Sequence, residues 1–528
     1  MHADVLIIGA GPAGGALARA LAPTGADLLV VERGGFLPRE AENWDPALVY
    51  RQEHYTTEER WRDGLTDEDF RASMIYRVGG NSKCHGSALL RMREADFDAF
   101  ATEDGPSPAW PISYADLAPY YDRAEADYHV HGARGADPTG PPGPPYPHAP
   151  IPHSDRIAEV GDRLAATGLR PFALPMGVAR NAVGDDEGPF VLREVFRAAG
   201  RETFDSYPDL THHKADAETC GVRPALGYDN VRLRTGVMAT RLVPSATGHE
   251  IEYVEAEIDG RQTRLTADVV VLACGAVNTA ALLLRSDVAN GSGRVGRHLM
   301  KHLHTKLYAV DTATPNETYF QKTLAVNDFY WGDAPGGDGH GRADGTPWPL
   351  GHVHLMGKHL PEMIAHDLGI DTDEAAGISR HSVDWWVQTE DLPRAEHRVR
   401  LDAEGRIAVE WRPTNAGAHA RLLDRFEAHL RAAGFDAFHR KPMPLRVMNH
   451  QCGTARMSAD PAEGVVDVRG RSHEVANLWI ADASVFPSSS ATNPTLTIVA
   501  NAYRTADRIA EALGSHARPG VSAVPAQG

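Results

Sequence analysis

The chain has 528 residues, 42% hydrophobic and 23% charged, a globular composition with length enough for two or three domains. Its net charge of -18, from 53 basic against 71 acidic residues, argues against nucleic acid and anionic membranes as partners. No run approaches the roughly 18 apolar residues of a membrane span. The four cysteines, Cys84, Cys220, Cys274 and Cys452, show no spacing for a disulfide framework or zinc site. With no signal-peptide pattern at the start, the expected compartment is the cytoplasm.

The first 33 residues, "MHADVLIIGAGPAGGALARALAPTGADLLVVER", read as strand, glycine loop, helix, strand. Val5 to Ile8 form the continuous apolar run of a buried parallel strand. Gly9, Gly11 and Gly14 give GxGxxG at the strand-to-helix junction, and a second strand, Leu28 to Val31, ends at Glu32. In this pattern the glycines permit a tight turn, close approach of a pyrophosphate, and helix-on-strand packing. The acidic residue accepts hydrogen bonds from the adenosine ribose. The motif indicates a dinucleotide and leaves NAD against FAD open.

Further along, "YRVGGNSKCHGSALLRMREADF" (76–97) carries a second glycine pair, Gly79-Gly80, suited to close backbone approach to a flat ring or phosphate. A helix follows at 110–128, with Ser113 as its cap, then a Pro-rich surface excursion, "ADPTGPPGPPYPHAPIP". "RLTADVVVLACGAVNTAALLL" is another buried strand, turn and helix. The stretch 331–348 is Gly-rich and reads as a flexible loop. In "HSVDWWVQTED", Trp385, Trp386 and Gln388 suit stacking and hydrogen bonding to a sugar, or equally a core strand. "HRVRLDAEGRIAVEW" alternates at period two as an antiparallel hairpin. His-x-His pairs at His129/His131, His302/His304 and His352/His354 show no third ligand in sequence, so no metal is expected.

"MNHQCGTARMS" places His450 before a Gly-Thr turn, and "NLWIADASVFPSSSATNPTLTIVANAYRTADRIAEAL" closes the pattern. Strand Leu478 to Ile480 ends at Asp482. A helix opens at Asn493-Pro494, with Pro at its first position and Asn493 as N-cap. Val499, Ala502, Ala506, Ile509 and Leu513 form its buried stripe, and Arg504, Asp507, Arg508 and Glu511 its solvated side.

With "IIGAGPAGG", "VGGNSKCHG", "VLACGAVNTAALLL", "VGRHLMKH", "HQCGTARM" and "IADASVFPSSSATNPTLTI" in place, the chain resembles the glucose–methanol–choline (GMC) flavin oxidoreductases. Within them it resembles the pyranose oxidase branch and its bacterial relatives that oxidise glycosides at C3. The resemblance implies an α/β fold with two parts. One is a Rossmann-like FAD-binding domain built from 1–110, 205–305 and 446–528. The other is an antiparallel-sheet substrate domain, 306–445, with 111–204 as a lid-like excursion. It implies FAD contacts from Glu32, Arg33, Gly79, Gly80, Asn81, Ser82, His85, Val237, Asp482, Ala483, Asn493 and Thr495, beside the glycine loop. The usual flavin-tethering position falls on Cys84, so FAD is expected to be noncovalent.

By the same resemblance, His450 is the base that takes the hydroxyl proton. Asn493 either caps its helix or contacts substrate. The helix after Pro494 aims its N-terminus at the flavin pyrimidine ring. The expected reaction is oxidation of a secondary ring hydroxyl of a sugar or glycoside, C3 before C2, with Trp385 and Gln388 as substrate contacts. Reduced flavin passes its electrons to O2 or a quinone-like acceptor, in a monomer or an oligomer. A non-sugar alcohol such as a steroid, or a flavin-binding module without catalysis, are the rival readings.

Overall fold

The computed structural model describes residues 2–179, 191–332, 341–342 and 345–516. Its largest sheet has four parallel strands at its centre. His2–Ile8 lies between Leu28–Glu32 and the end of Arg261–Leu272, and Val231–Thr235 extends the sheet beyond Leu28–Glu32. Leu478–Ile480 joins Arg261–Leu272, again parallel. Val5–Ile8, Leu28–Val31 and Val269–Leu272 are apolar and buried, the pattern of parallel strands with neither face in water. The first half of Arg261–Leu272 runs on outward and pairs antiparallel with Ile251–Ile258, which pairs with Val237–Pro244.

Helix Pro12–Leu21 crosses from the first strand to the second and packs against the closing helix, Thr495–His516. Val499, Ala502, Ala506 and Ile509 are buried as expected, with Leu513 packed at the edge of the same core. Arg504 is a correction: it is buried, not solvated, and donates to the carbonyl of Val468.

The second sheet has six antiparallel strands in the order Ala437–Pro442, Leu303–Val310, Ser382–Thr389, His352–Leu355, Leu324–Val326, Phe172–Ala173. Its pleat sorts the residues. Leu307, Ala309, Val353, Leu355, Val383, Trp385 and Val387 form one apolar face, covered by helices Asp155–Ala166 and Ala416–Ala432. His304, Lys306, Tyr308, His354, Asp384, Trp386 and Gln388 alternate with them on the other face. Residues 155–173, read from sequence as part of an excursion, supply both a covering helix and the edge strand of this sheet.

The hairpin is present as Arg398–Leu401 and Ile407–Glu410, with Val399 opposite Val409. It extends into a four-stranded sheet through Arg60–Asp63, drawn from the N-terminal part of the chain. Of the Gly-rich 331–348 stretch, 333–340 and 343–344 lie outside the described residues. No described helix is long and apolar enough to cross a membrane.

Candidate active site

A single cavity of about 780 Å³ runs from the glycine loop to the polar face of the six-stranded sheet. At one end, Gly9 sits at φ +106, and a Cβ there would lie 2.4 Å from the Ala273 carbonyl oxygen. Gly14 presses the helix against this turn, since its Cβ would fall 1.9 Å from Gly9 O. Gly11 has open space instead, facing the cavity, where a pyrophosphate can approach the helix N-terminus. The Glu32 carboxylate lines the cavity, held by the backbone N–H groups of Ala10 (3.0 Å) and Gly34 (3.1 Å). Each oxygen keeps a further lone pair for a ribose hydroxyl.

The second glycine pair docks on the first: Gly79 N donates to Ala10 O at 2.8 Å, and Gly80 sits against Gly11. Gly80, Asn81, Ser82 and His85 then line the cavity, as do Arg33, Val237, Asp482, Ala483, Asn493 and Thr495. Gly14 and Gly79 shape the turns from behind. Asp482 ties the closing strand to the Gly275 turn by accepting from Gly275 N at 2.9 Å and Thr279 Oγ1 at 2.6 Å. Cys84 also lines the cavity, and burial pushes its thiol up to about 11, which keeps it protonated and a poor nucleophile.

Two loops meet where the parts of the fold join. Met300 and Cys452 exchange both backbone hydrogen bonds, at 3.0 and 2.9 Å, which sets the 449–453 loop beside residues 300–304. Gln451 pins this loop to the neighbouring helix by accepting from Val277 N at 2.6 Å. His450 therefore faces His302 and His304: its Nδ1 is 3.0 Å from His302 Nδ1 and 3.1 Å from His304 Nε2. His302 Nε2 donates to the Ser489 carbonyl at 3.1 Å. Burial pushes His302 down to about 4, so the ring is neutral and its Nδ1 carries only a lone pair. His450 is held well below the ordinary imidazole range by burial and by the neighbouring His302. A neutral His450 donating from Nδ1 to His302 keeps the lone pair of Nε2 free for the cavity.

Asn493 is half-buried in the cavity wall, and its Oδ1 has no hydrogen-bond partner. The helix begins at Thr495, with Ile498 N bonded to Pro494 O at 2.9 Å. Pro494 thus holds the cap position and Asn493 stands one residue before it. The expectation of an Asn493 cap is corrected: its side chain is left for whatever fills the cavity.

The substrate contacts expected from "WWVQ" divide by pleat. Trp385 is fully buried on the apolar face against Phe426, with ring centroids 4.8 Å apart. Gln388 is buried too, and donates to Ala491 O, bracing the 487–494 loop. Trp386 lines the cavity, its ring 4.7 Å from that of His304. Residues not singled out from the sequence complete this end: Tyr50, Asp205, Lys306, Lys322, His359, Asp367 and Lys441. His304 and Lys306 belong to one strand at period two, the signal that could have placed them together.

A dinucleotide cradle opening onto a buried, neutral imidazole defines an oxidoreductase of alcohols. Comparison with known proteins gives the family. The chain matches the GMC oxidoreductase family over residues 4–304 and again over 351–502, and it belongs to that family. It is 30% identical to the 6'''-hydroxyparomomycin C oxidase of Streptomyces lividus, over 97% of this chain and 92% of that protein. It is 31% identical to the paromamine 6'-oxidase of Streptomyces fradiae, over 96% and 91% of the two chains. Among solved structures it superposes on the pyridoxine 4-oxidase of Mesorbium loti with a TM-score of 0.65 at 19% identity, covering 96% of this chain and 99% of that one. A formate oxidase of Aspergillus oryzae gives 0.67 at 16%, over 98% and 99%. GMC oxidoreductases bind FAD and act on CH–OH groups. The open Gly11 turn, the second glycine pair and the unpartnered Asn493 oxygen fit that cofactor.

Proposed function

We propose that this protein oxidises a secondary ring hydroxyl of a sugar or glycoside, C3 before C2, with His450 as the base. The observation that carries the reading is the 3.0 Å approach of His450 Nδ1 to His302 Nδ1, from which the tautomer of His450 follows. The Ser489 carbonyl fixes His302, and His302 Nδ1 in turn draws the His450 proton to Nδ1. Nε2 is left to take the hydroxyl proton, while Asn493 hydrogen-bonds the same oxygen. Bound FAD supplies the hydride acceptor. The Thr495 helix start presents free N–H groups to the cavity, where negative charge is stabilised. Electrons then leave to O2 or a quinone-like acceptor.

Polar lining supports a sugar over a steroid. The sheet end of the cavity is walled by Lys306, Lys322, His354, His359, Asp367 and Trp386. It also supports a neutral or acidic sugar over a polyamine. Asp367 is paired with Lys306 and Asp205 with Lys322, both at 2.7 Å, and Glu53 with Arg446. With these carboxylates paired, and Lys441 without an acidic partner among the described residues, this end offers no free carboxylate to an ammonium group. The similarity to the paromamine 6'-oxidase favours a second reading, oxidation at a 6' position of an aminosugar.

Anaerobic titration of the purified enzyme with neutral glycosides, glucuronides and aminoglycosides tests this. Flavin bleaching is followed by absorbance, with NMR of the product. The expected result is a 3-keto glycoside and no bleaching by aminoglycosides. Turnover of aminoglycosides alone, or of steroids, would sink it. FAD is held noncovalently in this reading, because Cys84 is a protonated thiol. Acid precipitation then leaves the flavin in the supernatant.

A further inference from the structure

His302, His304 and His450 each turn one ring nitrogen toward a common centre. Nδ1 of His302 and Nε2 of His304 lie 3.0 and 3.1 Å from Nδ1 of His450, and all three atoms fall within 4.8 Å of one another. The ring centroids are 5.1, 4.7 and 5.6 Å apart, with the planes near perpendicular in every pair. A tetrahedral cation that holds imidazole nitrogens at ~2.0–2.1 Å sets them roughly 3.3–3.4 Å from each other. The cluster stands within a few tenths of an ångström of such a ligand set on two of its three edges.

Hydrogen bonding alone leaves this cluster incomplete. His302 Nδ1 is a lone pair, because its Nε2 donates to Ser489 O. The Nδ1 proton of His450 serves it. If His304 carries its proton on Nε2, two N–H groups confront each other. If it carries it on Nδ1, that buried N–H has no acceptor, since His304 Nδ1 has no partner. A cation takes the lone pairs of all three facing nitrogens at once and removes any facing pair of N–H groups, with the His304 proton then on Nδ1. The carbonyl behind His302 is the kind of outer partner that orients a metal-bound histidine. The sequence shows only a His-x-His pair here; the fold supplies His450 as the third ligand.

We propose that His302, His304 and His450 form a site for a borderline divalent cation such as Zn²⁺, and that occupancy silences His450 as a base. The second half rests on the functional reading above. The cation takes the Nδ1 lone pair of His450, and the single proton of the neutral ring is carried on Nε2 instead. The atom that faces the substrate hydroxyl changes from acceptor to donor, with no change in the ring's proton count. Imidazole nitrogens without carboxylates select a Zn²⁺-like or Cu²⁺-like ion over Mg²⁺ or Ca²⁺.

The test uses chelator-stripped holoenzyme with FAD bound. Equilibrium dialysis against Zn²⁺ is expected to give one ion per chain. His302→Asn and His304→Gln, with FAD content and circular dichroism checked, should each lose more than the roughly 10–100-fold that follows loss of an outer-shell partner. Cu²⁺ electron paramagnetic resonance on the wild type needs no variant and should show splitting from several nitrogens. Anaerobic flavin reduction should fall in proportion to Zn²⁺ occupancy and return with EDTA. Absence of stoichiometric binding, or binding indifferent to both substitutions, overturns the site and leaves a hydrogen-bonded relay. Histidine-dependent binding with an unchanged reduction rate overturns the silencing and removes His450 as the base, while the cation site stands.

Discussion

Met300 and Cys452 form an isolated two-residue antiparallel bridge, and that bridge carries His450 to His302. His302 and His450, 148 residues apart in sequence, are thereby fixed at hydrogen-bond distance. The base is positioned by backbone, not by its own contacts alone. His450→Ala should keep FAD bound and lose roughly 10²–10⁴ in the rate of flavin reduction. Asn493→Ala should lose less, since it removes a hydrogen bond and not the proton acceptor. Anaerobic stopped-flow absorbance reads both. A near-normal rate in His450→Ala would place the base elsewhere.

The loop that holds His450 depends on one glycine. Gly453 lies at φ +93, and a Cβ there would sit 2.3 Å from the His298 carbonyl oxygen. Gly453→Ala should therefore push the 449–453 loop off residues 298–300 and slow flavin reduction while FAD stays bound. Gly14→Ala acts at the other end of the cavity, where the added Cβ would meet Gly9 O at 1.9 Å. That substitution should release FAD. Flavin content by absorbance, beside reduction rate, separates the two; loss of FAD from both would show that the His450 loop and the cradle fail together.

Adjacent tryptophans should behave as opposites. Trp385→Ala empties a core position against Phe426 and should cost about 3–5 kcal/mol of stability. Trp386→Ala, on the cavity face, should raise KM with little change in thermal unfolding. Calorimetry and steady-state kinetics on the two variants check this. Equal destabilisation by both would contradict the pleat assignment.

Glu390 gives stability a pH dependence of definite sign. Burial pushes its carboxyl up from 4.5 to about 8, so the folded state holds a proton that the unfolded chain releases. Its contribution is fully present below pH 4.5 and is lost as pH rises through about 8. Glu390→Gln, which can keep the bond from Ser107, should flatten the decline in melting temperature between pH 4.5 and about 8. A wild-type and a variant profile of the same slope would show that Glu390 is ionised in the fold.

Much of this protein can be read from local pattern. Gly9 and Gly14 sit where a Cβ would clash and Gly11 leaves room for a pyrophosphate, so the three announce a dinucleotide turn, and the apolar runs at Val5–Ile8 and Val269–Leu272 announce strands buried on both faces. The hairpin around Gly405 follows from period-two alternation. His450 and Asn493 stand out because their segments match a known family, whose residues carry the resemblance.

What the tertiary structure decided concerns contacts between segments far apart in the chain. Residue identity does not say which of two adjacent tryptophans faces a core; strand pairing does, because a shift of one residue exchanges the faces. It does not say that Asn493 leaves its helix uncapped; the bond from Ile498 to Pro494 does. A His-x-His pair gives two imidazoles and no third. His450 joins His302 and His304 only because backbone hydrogen bonds between Met300 and Cys452 close a long loop, and that closure is a property of the folded chain.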